Sequence, residues 1–523
     1  MSINPASAPV VSNTEGQLSI YPSANTWTKW RNISPLSLRA HYWLYDHPKA
    51  RKVAEVASYI IGAGIIVAAC FTPAIPAVIG LASVGVLVIG ITYLASKILN
   101  CIVPKSHDMN IHAFHPEKLE RNGKLLGELY YDNHVPILKI HSEDAYDAGY
   151  AQGYLLKEAL SDLHSNVEFC LFTLAREKRA SKIRNILDAI KGKIPEKFIL
   201  ELQGLADGYN ARKSYFDRAI TLEDLLYLQL MPDKTYFKPG KLKVGAPVVE
   251  SQALVQLQTA ACTVIGLHDK DGAPLLARTM DWPSFGKAGT LSLIVSRINP
   301  ATGIRTAEVT VPGLIGTLTG VNSSGLTISM NVTKYENGIT SIEGIPAALY
   351  NRMVLEECES FAQAETFINT HQPLGPYHLT VSDQAKAGTF SMYQQKDWNG
   401  NWCEDRSNGH LLRLLETEKP LVTTNCSYNS NQTDMFNGKV REKLIQQYLQ
   451  ENSHIQKPKD VLEYSQSIPW VNNHLTTHRV LLGSKTLEVA FDNAWAGDRA
   501  LHSLDLSEIF SEFQGNKTTA EKS

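Results

Sequence analysis

Cys262, Arg278 and Asp281 bring together the residue types that thiol chemistry needs. A thiol reacts as thiolate, so it wants a cation nearby and a base to take its proton. Arg278 could be the cation, and the Asp281 carboxylate could orient either partner. Local patterning supports a shared site. Cys262 to Leu267 reads as a strand, Asp269-Lys270-Asp271-Gly272 as a turn, and Pro274 to Thr279 as a second strand. Pairing residues whose numbers sum to about 541 sets Cys262 opposite Thr279, beside Arg278. Taken singly, a strand cysteine is more often a small buried hydrophobe, and an Arg with an Asp is more often a structural ion pair.

The elements around this hairpin alternate in the manner of an α+β chain. Leu291–Arg297, Arg305–Val311, Ile315–Val321 and Leu326–Asn331 read as strands, with a turn at Asn322-Ser323-Ser324-Gly325. Helices follow at about Pro346–Cys358 and Ser360–Thr370, and Tyr377–Ser382 and Val480 to Phe491 read as further strands. Upstream, Val135–Ile140 reads as a strand leading into a helix from about Ser142. On that helix Gly149 and Gly153 share a face four residues apart, a notch for close packing. Pro195 to Tyr209 reads as a second helix and Thr221 as the N-cap of a third, with Glu223 and Asp224 at its positive end. Many strands with helices set apart suggest a layered fold.

Composition narrows the class. The chain has 523 residues, 50 Lys+Arg against 52 Asp+Glu, 44% hydrophobic residues and seven scattered cysteines. That balance excludes a strongly basic nucleic-acid binder, and no disulfide framework or CxxC pair is present. A reducing compartment fits better than a secretory one. No HExxH, P-loop or GxGxxG motif occurs and the histidines form no ligand cluster, so no metal or cofactor is expected. The Asn-x-Ser/Thr sequons are read as chance without a signal peptide. Mean hydropathy is only −0.16, yet 41 consecutive residues from Val56 to Ser96 carry no charge. A bilayer crossing needs about 20 apolar residues. Pro73 and Pro76 break the run near its middle, and Lys49, Arg51, Lys52, Lys97 and Lys105 flank it. The pattern predicts a transmembrane helical hairpin with both ends cytoplasmic; a buried hairpin is the alternative.

Ala261-Cys262-Thr263-Val264-Ile265, followed by Ala277-Arg278-Thr279-Met280-Asp281-Trp282, resembles the opening of the N-terminal nucleophile (Ntn) cysteine hydrolases. That group includes the acid ceramidase and N-acylethanolamine amidases, the choloylglycine hydrolases and the penicillin acyltransferase-like family. Its Arg-x-x-Asp block stands sixteen and nineteen residues after the cysteine, as here. Ala148 to Gly153 and Glu201 to Gly208 resemble helices of the acyltransferase-like branch. The resemblance covers about residues 125–495. It implies a four-layer αββα sandwich, a precursor that cuts its own Ala261–Cys262 bond, and a freed α-amine that serves as base for the thiol. It also implies that Asn331 and Asn425 stabilise the oxyanion and that Arg441 matches a late family arginine. Val332 stands where the acid ceramidase branch has Glu, which speaks against a ceramidase-like substrate.

Residues 1–52 are then expected to be a polar leader, 53–103 the hairpin, 104–261 an α-chain or pro-region, 262–505 the catalytic core and 506–523 a loose polar tail. The expected activity is hydrolysis or transfer at a linear amide, with an amphipathic N-acyl amide or lipid as substrate and the membrane as partner. The alternatives are a phospholipase B-like lipid esterase and a catalytically silent membrane-anchored interaction protein.

Overall fold

The hairpin that carries Cys262 closes through a compact polar turn. Asp269 Oδ1 accepts from the Asp271 and Ala273 amides, each at 2.9 Å, and Gly272 takes a φ of +83° that side chains disfavour. This five-residue loop sets His268 opposite Pro274 and Thr263 opposite Thr279. The expected register is therefore one residue out: Arg278 stands opposite Val264. A single-residue slip exchanges the two faces of a strand.

A computed structural model describes residues 48–70, 75–102, 114–168, most of 187–233, most of 262–333, 344–392, most of 410–426, 438–451, 458–465, 476–491 and 501–511. The chain runs α1 (Pro48–Cys70), α2 (Ile75–Ile102), β1 (Glu117–Arg121), β2 (Lys124–Asp132), β3 (Val135–Ile140), α3 (Ala145–Leu155), α4 (Lys157–Glu168), α5 (Glu196–Arg212) and α6 (Leu222–Gln229). After Cys262 come β4 (Thr263–His268), β5 (Pro274–Asp281), α7 (Lys287–Thr290), β6 (Leu293–Ile298), β7 (Arg305–Thr310), β8 (Thr319–Asn322) and β9 (Thr327–Val332). There follow α8 (Ala347–Glu357), α9 (Phe361–Thr370), β10 (Tyr377–Ser382), β11 (Ala387–Met392), β12 (His410–Leu414) and β13 (Leu421–Thr423). Last among the described residues come α10 (Gly438–Glu451), α11 (Pro458–Ser465), β14 (Thr476–Gly483), β15 (Thr486–Ala490), β16 (His502–Ser503) and α12 (Leu506–Ile509).

Two sheets organise these elements. One has ten strands in the order β1-β2-β3-β6-β7-β8-β9-β10-β11-β12, the other six in the order β13-β4-β5-β14-β15-β16. Ile137, Ile294, Val309 and Val321 of the first pack with Val264, Leu276, Val480 and Val489 of the second. Residues such as Leu138, Val295 and Leu379 on the other face of the ten-stranded sheet pack with α3, α5 and α8. Ile265, Ala277 and Leu481 of the six-stranded sheet pack with Ile445 of α10 and Val461 of α11. The expected α+β class is observed, with large sheets and segregated helices.

The glycine notch is larger than expected. A Cβ at Gly149 would meet the Glu201 carbonyl oxygen at 1.8 Å, and at Gly204 the Tyr146 carbonyl oxygen at 1.9 Å; Gly153 and Gly208 are equally tight. Four glycines thus bring α3 and α5 into backbone contact. Gly204→Ala must spread the helices and is expected to cost about 2–3 kcal/mol, measured as a fall in the urea midpoint.

The segment leading toward Cys262 is clamped before it leaves the described residues. Gln229 accepts from the Ile315 and Gly316 amides, and Asp233 Oδ2 accepts from Ala347 N at the start of α8, at 3.0 Å. Burial raises the Asp233 carboxyl from 3.8 to about 8. A group raised in the folded state stabilises fully below its unfolded value and loses that contribution as pH climbs through the folded one. Stability should therefore decline from about pH 4 to about pH 8, and Asp233→Asn should remove that decline. Denaturation midpoints taken across this window check it; equal slopes for wild type and variant would contradict it.

Several expectations need correction. The uncharged run does form a helical hairpin, but its side chains are described only at 52–65 and 83–96. Among the described residues no helix is long and apolar enough to cross a membrane, so the transmembrane reading lacks support from the structure. The tail is not loose at its start: Leu506 and Ile509 of α12 are buried, and Lys139 Nζ and Arg305 donate to the carbonyls of Glu508 and Phe510. The leader before Pro48 and the break at Thr72–Ala74 lie outside the described residues.

Candidate active site

Cys262 directly precedes β4, and 5% of its surface is exposed. Its backbone N donates to Asn425 Oδ1 at 2.8 Å, and its carbonyl accepts from Arg441 at 2.9 Å. Arg441, fully buried on α10, also donates to Thr263 Oγ1 at 2.6 Å and to Asn425 Oδ1 at 2.8 Å. One guanidinium therefore grips three neighbouring acceptors, a task its fixed fork suits. Asn425 Oδ1 uses both lone pairs, on the Cys262 amide and on Arg441.

Arg278 reaches the site from β5. It donates to Ser329 Oγ, to the Met330 carbonyl at 2.7 Å and to Asn331 Oδ1 at 3.3 Å. Its charge also acts on the Cys262 thiol. Burial pushes that thiol up, while Arg278 pulls it down, Asp281 pushes it up, and the Asp281 backbone N–H favours thiolate. Burial likewise depresses Arg278. Asp281 accepts from Thr476 Oγ1 at 2.7 Å, which anchors the carboxylate to β14.

The two asparagines clasp the sheets together. Asn331, on β9, donates through Nδ2 to the Thr423 carbonyl at 3.1 Å; Asn425 donates through Nδ2 to the Val332 carbonyl at 2.6 Å. Each amide nitrogen carries a second N–H beyond that bond. Both are wholly buried.

All six residues singled out from the sequence thus converge on one place between the two sheets. Arg441 reaches Cys262, Thr263 and Asn425 from α10, which packs on the outer face of the six-stranded sheet. Thr263, Ser329, Thr423, Thr476 and His378 were missed. Thr263 had a signal in the Cys-Thr pair; the others are isolated polar residues on strands. His478 also lies near Arg278. It is buried on β14, and burial, then Arg278, lowers its imidazole well below 6.5.

Residues 267–474 match the family model described as acyl-coenzyme A:6-aminopenicillanic acid acyl-transferase. That match agrees with the penicillin acyltransferase-like resemblance read from the sequence, over about two fifths of the chain. A search of the curated proteins finds no match. Among solved structures, a Caenorhabditis elegans N-acylethanolamine-hydrolyzing acid amidase ortholog is 18% identical, with TM-score 0.35 over 46% of this chain and 100% of its own. Penicillin V acylase from Agrobacterium tumefaciens is 13% identical, with TM-score 0.30 over 49% and 89%. The R18L variant of conjugated bile acid hydrolase from Clostridium perfringens is 12% identical, with TM-score 0.31 over 47% and 93%.

Proposed function

We propose that this chain is an Ntn-type cysteine amidohydrolase or acyltransferase that cuts itself before Cys262 and then cleaves linear amides. The observation that carries the reading is the hold on Cys262: its backbone N is fixed by Asn425 at 2.8 Å while its thiol stands beside Arg278 in a buried site. Once the preceding bond is cut, that N becomes an α-amine titrating near 8, a suitable base at neutral pH. The amine takes the thiol proton, and the thiolate attacks the amide carbonyl. The second N–H groups of Asn331 and Asn425 are available to the oxyanion. Collapse expels the amine, which takes the proton back, and leaves a thioester on Cys262. Water or an acceptor amine then resolves it. Arg278 stabilises the thiolate, Arg441 holds Cys262 and Asn425 in place, and Asp281 orients the turn of β5 behind the sulfur. An amphipathic N-acyl amide is the proposed substrate class.

The wild-type protein tests this directly. A denaturing gel should show two pieces, the second beginning at Cys262 by N-terminal sequencing, and a fluorogenic N-acyl aminocoumarin amide should be hydrolysed. A single uncut chain would overturn the self-cleaving mechanism.

We further propose that the α1–α2 hairpin tethers the catalytic body to the cytoplasmic face of a membrane. Val53, Ile60, Ile61, Val86, Leu87 and Leu94 are all more than half exposed, and a helix apolar on several sides calls for a greasy surrounding. Membranes washed in alkaline carbonate should retain the protein; its release would refute the tether.

A further inference from the structure

His378 lies in the middle of β10 and is completely buried. Register sets it opposite Asn331 on β9 and opposite Ser391 on β11, so all three side chains leave the sheet on one face. That face looks toward β13, β4 and the thiol. Nε2 of His378 is 2.8 Å from the Cys426 carbonyl oxygen, and Nδ1 is 2.9 Å from Ser391 Oγ. A carbonyl oxygen only accepts, so Nε2 must carry the proton. Burial holds the ring neutral, with its pKa lowered to about 3, so Nδ1 is bare and the Ser391 hydroxyl donates to it. The imidazole is thereby locked in one tautomer and one orientation.

What it holds is the residue after Asn425. The segment Thr423-Thr424-Asn425-Cys426 leaves β13 of the six-stranded sheet and crosses toward the ten-stranded one. Asn425 is gripped from the first side by Arg441 and from the second by its bond to Val332. His378 supplies a further strut from the ten-stranded sheet, one residue on. We propose that His378 is a positioning residue for Asn425: its Nε2–H pins the Cys426 carbonyl and so sets where the Asn425 amide stands relative to Cys262. This rests on the reading that Asn425 serves the Cys262 chemistry.

The full-length chain and its His378→Gln, His378→Asn, His378→Phe and Asn425→Ala variants provide the test. Glutamine can place its Nε2–H where histidine has Nε2; asparagine places its amide nearer Nδ1; phenylalanine offers neither. Two rates are read, appearance of the fragment beginning at Cys262 and kcat on an N-acyl aminocoumarin amide. The Phe and Asn variants are expected to lose about 10–100-fold in both, with KM within about threefold of wild type. The Gln variant should stay within about threefold throughout. A Phe variant with wild-type rates, or a Gln variant no better than Asn, would overturn the proposal. If the Phe variant fails to fold, the Gln-against-Asn comparison still decides, with melting temperatures showing both folded. Asn425→Ala separates the two levels. If it is fully active, the underlying reading of the site fails; if it is inactive while His378→Phe is active, only the positioning role fails.

Discussion

Cys262→Ala is expected to leave the 523-residue chain in one piece on a denaturing gel and to lower amide turnover by about 10⁴-fold or more. Both losses come from one atom. On the proposed mechanism the sulfur attacks both in self-cleavage and in catalysis, a part that the Arg278 cation and the neutral amides of Asn331 and Asn425, each donating across to the other sheet, do not play. The alanine variant should fold, because the bonds that fix residue 262 run through its backbone N and carbonyl to Asn425 and Arg441. An unchanged melting temperature with no second fragment is the expected pair of results. An alanine variant that still yields a fragment starting at position 262 would show that another protease, or no thiol chemistry, does the cutting.

Glu201→Gln is expected to cost about 3–5 kcal/mol of stability. The Glu201 carboxylate, on α5, receives Arg297 at 2.6 Å on one oxygen and Arg352 at 2.7 Å on the other. All three side chains are under a tenth exposed. Arg352 continues to Glu356 at 2.6 Å, Arg297 to Glu308 at 3.3 Å, and Lys197 bonds Glu356 at 3.2 Å. A neutral amide in place of Glu201 leaves two buried guanidinium groups facing each other with one negative charge fewer between them. The penalty is that of uncompensated charge more than of lost contact. A shift of the urea midpoint at constant slope measures it; a change under about 1 kcal/mol would mean that the arginines are screened by other means.

Much of the site was legible because its chemistry is concentrated in two short words, Cys262-Thr263 and Arg278-Thr279-Met280-Asp281. Their shared strand pair followed from a turn that polar residues and Gly272 specify. The one-residue error in register arose where pattern has least to say, since β4 and β5 are buried on both faces and offer no alternation to fix the phase. The opposite problem hid the rest. Thr327-Ile328-Ser329-Met330-Asn331 alternates as a half-exposed strand would, yet every residue is buried. Its polar face, with His378 and Thr380 of β10 and Thr389 and Ser391 of β11, meets the other sheet rather than water. Periodicity identifies two faces of a strand, but not which one sees solvent. Helices α10 and α11 were missed because their apolar stripes are short, although α10 delivers Arg441. The uncharged run was seen at once as two helices, because composition alone marks it.

The ten-stranded sheet joins what self-cleavage would separate. β3, from the first 261 residues, pairs in parallel with β6, from the remainder, through Ile137 to Ile294 and Leu138 to Val295. β1–β3 thus extend a ladder whose other seven strands are encoded downstream of Cys262. The mature enzyme would be a heterodimer whose subunits were never apart, with a seam through the middle of a sheet rather than across an outer surface. Pulled apart, each half would present an open edge flanked by uncovered apolar side chains, a surface prone to aggregate. Order of assembly follows from this. On the proposed mechanism the chain would have to fold while its backbone is still continuous, and two fragments made from separate messages are then expected not to reconstitute activity on mixing.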